Sequence, residues 1–360
     1  MAYYIEDELT GPALGKRRPT VNEYFLSSYT LSIYDGCEFG CPYCDGWAYR
    51  MRPFNETVRV AVNLVDKVAE ELEQISRDDL VAITALTDPY QPAESTYRMT
   101  RQVLRLFAER GQPCVILTKS PAVLEDLVFL EQINQKSLAV VMFTIVATDP
   151  YLSSKLEDKA PPPQLRLEAI AALKRAGIPT GVAVIPVMPY VNDTDYVIST
   201  TVRAVADAGA DFMVWEYLHI PSERHRSRIN DMLTRIGSYP PSYYRDLYGQ
   251  GAQATPLPNA SYRSGRDREI LLRCDSQNLP IRAPHSLFAG KINPHSEASL
   301  LLKHTAARDA IQGRAQLATL GRDLADLVFQ GQATDAQLRQ SPLYPQLAKI
   351  LGGDVVGERL

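Results

Sequence analysis

Histidine is scarce in this chain. Five occur in 360 residues and the first is His219, so everything before it has no imidazole to ligate a metal or move a proton. Cysteine is also sparse, and the count of five is odd. The N-terminus, MAYYIEDELT, lacks the basic and apolar regions of a secretory signal. Together these exclude a disulfide framework and predict a cytoplasmic setting in which thiols stay reduced. No apolar run approaches the ~18 residues of a membrane span. The longest, Leu138 to Ala147, is strand-length and β-branched at several positions, which reads as a buried strand. No G-x-G-x-x-G follows any strand-like run, so the usual dinucleotide-binding reading falls away. A dense basic tract is missing too. Net charge is −4, although residues 220–322 carry 15 Lys/Arg against 8 Asp/Glu. That local excess fits a nucleic-acid partner or a solvated helical surface.

What the chain does have is a cysteine loop. Cys37, Cys41 and Cys44 fall within Gly36-Cys-Glu-Phe-Gly-Cys-Pro-Tyr-Cys-Asp45. Closely spaced thiolates on a short loop suit soft metal centres, above all iron–sulfur clusters and zinc. Three ligands leave a tetrahedral structural zinc site one short. On a four-iron cube they leave one iron open to a ligand that is not protein. A zinc knuckle completed from afar and a set of redox thiols are the alternatives at this point.

The organisation around the loop is repetitive. Apolar strand-like runs at Tyr29–Tyr34, Leu80–Leu86, Cys114–Thr118, Leu138–Val146, Thr180–Pro186 and Phe212–Leu218 alternate with amphipathic helical runs. The helical runs are Val58–Ile75, Thr96–Arg110, Ala122–Asn134, Pro163–Ala176 and Thr194–Ala208. Repeated βα units in one direction demand a parallel sheet with right-handed crossovers, which curls toward a barrel. The predicted class is α/β, a partial (β/α)6 TIM-like barrel; an open doubly wound sheet is the alternative. The expected organisation is an N-terminal extension over 1–28, the barrel over 29–220, and a mainly helical C-terminal region over 221–360 covering the barrel opening. Residues 237–262, rich in Pro, Tyr and Gly, read as loop with a short helix, and Glu269–Cys274 reads as a strand.

In such barrels function collects where the strands end. The strand ends here carry the cysteine loop, Thr87-Asp88-Pro89-Tyr90, Thr118-Lys119-Ser120, Thr144, Pro186–Tyr190 with Asn192 and Asp193, and Glu216 with His219. A polar residue buried in a strand is costly unless it has a partner. Glu216 and His219 read as structural polar groups satisfied by their surroundings.

The C-x3-C-x2-C spacing, with Tyr43 before the last cysteine, resembles the cluster loop of the radical S-adenosylmethionine (SAM) superfamily. Thr87-Asp-Pro-Tyr-Gln-Pro-Ala-Glu94, Leu117-Thr-Lys-Ser120, and Glu157 followed by Ala160-Pro161 and Arg166-Leu167 resemble blocks of its spore photoproduct lyase-like branch. The resemblance covers about residues 29–220. It implies that Cys37, Cys41 and Cys44 hold a [4Fe–4S] cluster whose open iron is chelated by SAM. It also implies that Tyr43 packs near the adenine and that Thr87 and Asp88 meet the methionine amino group. Lys119 would meet the carboxylate or ribose, and Thr144 the ribose. A zwitterion needs an acceptor for its ammonium and a cation for its carboxylate, so the residue types agree.

The activity implied is reductive cleavage of SAM to a 5′-deoxyadenosyl radical that abstracts hydrogen from a substrate. An external one-electron donor such as flavodoxin or ferredoxin is the expected partner. The expected substrate is a nucleic acid or nucleotide; a small metabolite or peptide is the alternative, and a non-catalytic iron–sulfur or zinc protein is the non-enzyme alternative. One departure stands out. Spore photoproduct lyases carry a hydrogen-returning cysteine where this chain has Ala85, which leaves Cys274, or a tyrosine of 239–262, as the candidate donor. Arg263, Arg266, Arg268 and Arg273 are candidate phosphate contacts.

Overall fold

The computed structural model describes residues 2–49, 53–83, 87–237 and 241–352. Ala85 lies outside the described residues. In chain order the described strands are β1 Tyr3–Asp7, β2 Tyr29–Leu31, β3 Tyr34–Asp35, β4 Thr57–Ala61, β5 Val81–Ile83, β6 Cys114–Thr118, β7 Ala139–Thr144, β8 Thr180–Val187 and β9 Phe212–Tyr217.

Six of them form one sheet in the order β2-β5-β6-β7-β8-β9, and every pairing is parallel. Each new strand adds on the same side of the last, as the βα repeats demand. Among the described residues β2 and β9 do not pair with each other, so the sheet is a partial barrel. The doubly wound alternative would have placed later strands on both sides of the first.

Strand alternation sorts the two faces. Val115, Val140, Met142, Ala183 and Val214 belong to the inner core, together with Val21 and Leu26 from the N-terminal segment and Ala283, Phe288 and Ile292 from the C-terminal region. Their neighbours Ile116, Val141, Phe143, Val182 and Met213 pack outward with Val103, Phe107, Ile170 and Val202 of the surrounding helices. Several helices carry side-chain N-caps. In Asp195–Asp207, for example, the Thr194 hydroxyl accepts from Val197 N.

Three expectations are corrected. The run Val58–Ile75 is not one helix. Its first part alternates buried Val58 and Val60 with half-buried neighbours and forms β4; only Leu64–Leu72 is helical. β4 pairs with β1 and β3 in a second, three-stranded sheet, so the N-terminal residues contribute a strand. Glu269–Cys274 is not a strand. It lies inside the helix Ala260–Ser276, which Asn259 caps by accepting from Tyr262 N at 2.9 Å. Ile270, Leu271 and Cys274 are its buried positions, a helical spacing that six residues are too few to distinguish from a strand.

The N- and C-terminal segments are fastened together. Arg282 pairs with Glu23 at 3.3 Å and lies 4.4 Å from the Tyr24 ring centroid. Arg17 lies 4.1 Å from the Phe329 ring centroid, and Ser28 and Ser296 hydroxyls meet at 3.2 Å. Past Ala260–Ser276 the chain runs along the free edge of β9, where Met213 N donates to Pro280 O at 2.8 Å.

Candidate active site

The cysteine loop leaves β3 through Gly36, which has φ +111°; a Cβ there would stand 2.2 Å from the Thr57 carbonyl oxygen. Only glycine fits that approach. Gly40, at φ +56°, is similarly restricted by Asn55 at 2.7 Å. The loop is held by its backbone: Cys37 N donates to Phe54 O at 3.0 Å and Cys44 N to Cys41 O at 3.1 Å. Trp47 Nε1 donates to Cys41 O at 2.9 Å, and the Arg228 guanidinium caps the Trp47 ring at 3.4 Å. All three thiols face one cleft of about 510 Å³. Cys44 Sγ accepts from Gly46 N at 3.3 Å. Burial pushes each thiol up to about 12, so a metal group bound there must displace their protons.

The same cleft receives Tyr43, Thr87, Asp88, Lys119 and Thr144. On β6, β7, β8 and β9 the inward series are Val115–Leu117, Val140–Met142, Ala183 and Val214. One step further along each strand stand Lys119, Thr144, Ile185 and Glu216, all lining the cleft. The apolar interior thus ends in a layer that carries the polar side chains, at the carboxyl ends of the strands.

Asp88 is clamped. It accepts from the Thr118 hydroxyl at 2.7 Å, from Lys119 N at 2.7 Å and from Tyr90 N at 2.9 Å. Burial pushes its carboxyl up, against the pull of those bonds. The Thr87 hydroxyl donates to Tyr34 O at 3.0 Å. Burial pulls the Lys119 ammonium down, but Cys41 and Glu157 outweigh it and hold it above its ordinary value.

Behind these residues lies a buried hub that the sequence marked only by resemblance. Glu157 accepts from the Tyr43 hydroxyl, pairs with Arg166 at 2.6 Å and stands 3.9 Å from Lys119 Nζ. Arg166 is fully buried; it also donates to Thr144 O at 2.8 Å and, through Nε, to Pro161 O at 2.9 Å. One carboxylate therefore ties the cysteine loop to the ends of β6 and β7.

The structure does not bring Cys274 to this cleft. It is fully buried on the outer side of the sheet, among the residues packed between strands and helices. A hydrogen donor to a substrate held in this cleft would have to line it, and Cys274 is not among the lining residues. Three of the four candidate phosphate-binding arginines are engaged within the chain. Arg263 Nε donates to Pro258 O at 3.0 Å, Arg266 stands 3.6 Å from Asp195, and Arg273 pairs with Asp195 at 3.1 Å and Glu269 at 2.7 Å. Arg268 is exposed.

His219 and Glu216 do line the cleft. His219 Nδ1 stands 3.6 Å from Asp45. Sequence reasoning missed Asn22, Tyr24 and Phe25, which form part of the wall. Nothing in that short run before the first strand signalled a site.

The sequence model of the Radical SAM superfamily matches residues 31–198. An uncharacterised protein of Mycobacterium tuberculosis (strain ATCC 25618 / H37Rv) is 31% identical over 248 residues, which covers 65% of this chain and 70% of that protein. The chain belongs to the radical SAM superfamily. A radical SAM Nalpha-GlyT isomerase of Pseudomonas phage M6 is 24% identical over 270 residues, 70% of this chain and 52% of that protein. The solved structure of spore photoproduct lyase complexed with dinucleoside spore photoproduct superposes with a TM-score of 0.59 at 14% identity, over 76% of this chain and 79% of that one. At that identity the likeness is one of fold. Radical SAM proteins are enzymes, and so is this chain. No helix among the described residues is long and apolar enough to cross a membrane.

Proposed function

We propose that Cys37, Cys41 and Cys44 hold a [4Fe–4S] cluster and that SAM binds beside it in the same cleft. The observation that carries this is the convergence of three thiols, Asp88, Lys119 and Thr144 on one cleft at the strand ends. The donor set fits a cube better than a single ion. Among the described residues no three or more His, Cys, Asp or Glu side chains are arranged around one ion, whereas a cube takes each thiolate on a different iron. When bound, the reduced cluster and SAM supply one-electron cleavage to a 5′-deoxyadenosyl radical that abstracts hydrogen from the substrate. The protein's own part is to bind, orient and exclude water. Lys119 supplies a cation for the SAM carboxylate, and Asp88 and Thr87 supply oxygens for its ammonium. Thr144 meets the ribose, and Tyr43, pinned by Glu157, flanks the adenine.

The substrate class we propose is a nucleic acid or nucleotide. Its support is that spore photoproduct lyase, whose fold this chain shares, is known in complex with a dinucleoside spore photoproduct. The arginines of Ala260–Ser276 give it little help, because most are paired internally. The electron donor we propose is an external flavodoxin or ferredoxin, in the cytoplasm.

The test is anaerobic reconstitution followed by dithionite and SAM. 5′-Deoxyadenosine should form, and Lys119→Ala should weaken SAM binding by roughly 10- to 100-fold. Stoichiometric zinc with no cluster after reconstitution, or unchanged SAM affinity in Lys119→Ala, contradicts the proposal.

A further inference from the structure

One cleft carboxylate has no role in the reading above. Glu216 stands on β9, between Trp215 and Tyr217, and both neighbours hydrogen-bond outward to Asp267 at 2.8 Å. Alternation therefore turns Glu216 inward, and it lines the cleft. From Lys119 it is three strand steps away, roughly 14 Å around the sheet at ~4.8 Å per strand. It thus lies away from the residues that would hold the SAM zwitterion. Tyr24, on the N-terminal segment, lines the same cleft and lies close to Glu216. The nearby guanidinium, Arg282, forms its ion pair with Glu23 and packs on the Tyr24 ring.

The charge inventory of the cleft is informative. Lys119 is the one lysine among its described lining residues, no arginine lines it, and its one histidine, His219, already faces the Asp45 carboxylate at 3.6 Å. A phosphate or carboxylate entering the cleft would therefore compete with SAM for a single ammonium. Burial pushes the Glu216 carboxyl up; in its ionised form it accepts hydrogen bonds only, and so recognises N–H or O–H donors. The lining of the cleft also includes the Phe25 ring, Ile185-Pro186 and Leu257, all apolar. Ile185-Pro186 project there because the β8–β9 register shifts between Val184 and Val187.

We propose that Glu216, with Tyr24 opposite it, is the subsite that holds the substrate by the N–H edge of an uncharged flat ring, the base of a nucleoside, while any phosphate stays outside the cleft. The proposal rests on the reading of this cleft as the SAM site. It gives a reason for the N-terminal segment to be fastened so firmly to the C-terminal region: the fastening holds Tyr24 in place. It also separates recognition from charge, since the ring is read inside and the backbone of a longer substrate is left to the surface.

The test uses the anaerobically reconstituted full chain with SAM present. Thymidine, cytidine, adenosine and guanosine are titrated by equilibrium dialysis, each beside its 5′-monophosphate. At least one nucleoside should bind, with no gain from the phosphate. Glu216→Gln keeps the side-chain volume and an oxygen on the Tyr24 side, but it removes the charge. It should weaken that nucleoside by roughly 10- to 100-fold while leaving SAM affinity and the thermal midpoint where they were. Tighter binding of the monophosphate, unchanged binding in Glu216→Gln, or no nucleoside binding while SAM binds overturns the subsite alone. Failure of SAM to bind overturns the reading of the cleft and the subsite with it.

Discussion

Replacing Glu157 by Gln should be among the most damaging single-atom-scale changes in the molecule. The side chain keeps its volume and an oxygen for the Tyr43 hydroxyl. It loses the charge that faces Arg166 at 2.6 Å, where the two side chains are 1% and 0% exposed. Arg166 would then be a buried cation satisfied only by the carbonyl oxygens of Thr144 and Pro161. Removing one member of a buried pair costs about 3–5 kcal/mol, a large share of the ~5–15 kcal/mol that holds a typical domain folded. For a chain of this size the midpoint moves roughly 2 °C per kcal/mol, so thermal unfolding followed by circular dichroism should drop by about 6–10 °C. Tyr43→Phe is the internal comparison. It deletes one hydrogen bond to the hub and leaves the ion pair, so the loss should be about 1–3 kcal/mol. If Glu157→Gln melts within about 1 °C of the unmodified protein, the hub does not stabilise the fold as argued.

Other outcomes follow from the same geometry. Asp88→Asn turns an acceptor into a donor against Lys119 N or the Thr118 hydroxyl, and should cost about 1.5–3 kcal/mol together with weaker SAM binding; calorimetric unfolding and SAM titration check both. Cys274→Ser should leave cluster absorbance unchanged but lower the thermal midpoint, because it buries a hydroxyl among apolar residues at a cost of about 1–3 kcal/mol. Arg266→Ala and Arg273→Ala remove partly exposed pairs to Asp195, so each should cost under about 1 kcal/mol. If DNA binds this protein, each should change the slope of log K against log salt by well under the ~0.9 expected of a true phosphate contact.

Much of the sheet was legible because buried parallel strands are short, apolar and regularly spaced. The six runs from Tyr29 to Leu218 became β2 and β5 to β9, except that the first run splits: its Tyr34 passes into β3 of the smaller sheet, and β3 rather than β2 leads into the cysteine loop. The polar residues Lys119, Thr144 and Glu216 became part of the layer lining the cleft. The failures have physical causes. Val58–Ile75 mixes an alternating segment with a helical one, and its β4 half is fixed by pairing with Tyr3–Asp7, some fifty residues away, and with Tyr34–Asp35. Glu-Ile-Leu-Leu-Arg-Cys274 is too short to reveal its period, and its cap at Asn259 decides the matter. Tyr24 and Phe25 reach the cleft through tertiary contacts with Arg282 and the C-terminal helices, and no local pattern encodes such contacts. The arginines of Ala260–Ser276 looked like a basic patch because a linear count does not see Asp195 on the neighbouring helix.

The central claim is that the three thiols of this cleft carry a cluster with one iron open to SAM. The most direct measurement is the EPR spectrum of the anaerobically reconstituted, dithionite-reduced protein, before and after addition of SAM. The account predicts about four irons and four sulfides per chain, a signal that shifts on SAM addition, and loss of the signal in each of Cys37→Ala, Cys41→Ala and Cys44→Ala. A cluster signal that SAM leaves untouched, or one that survives loss of any of these cysteines, contradicts it.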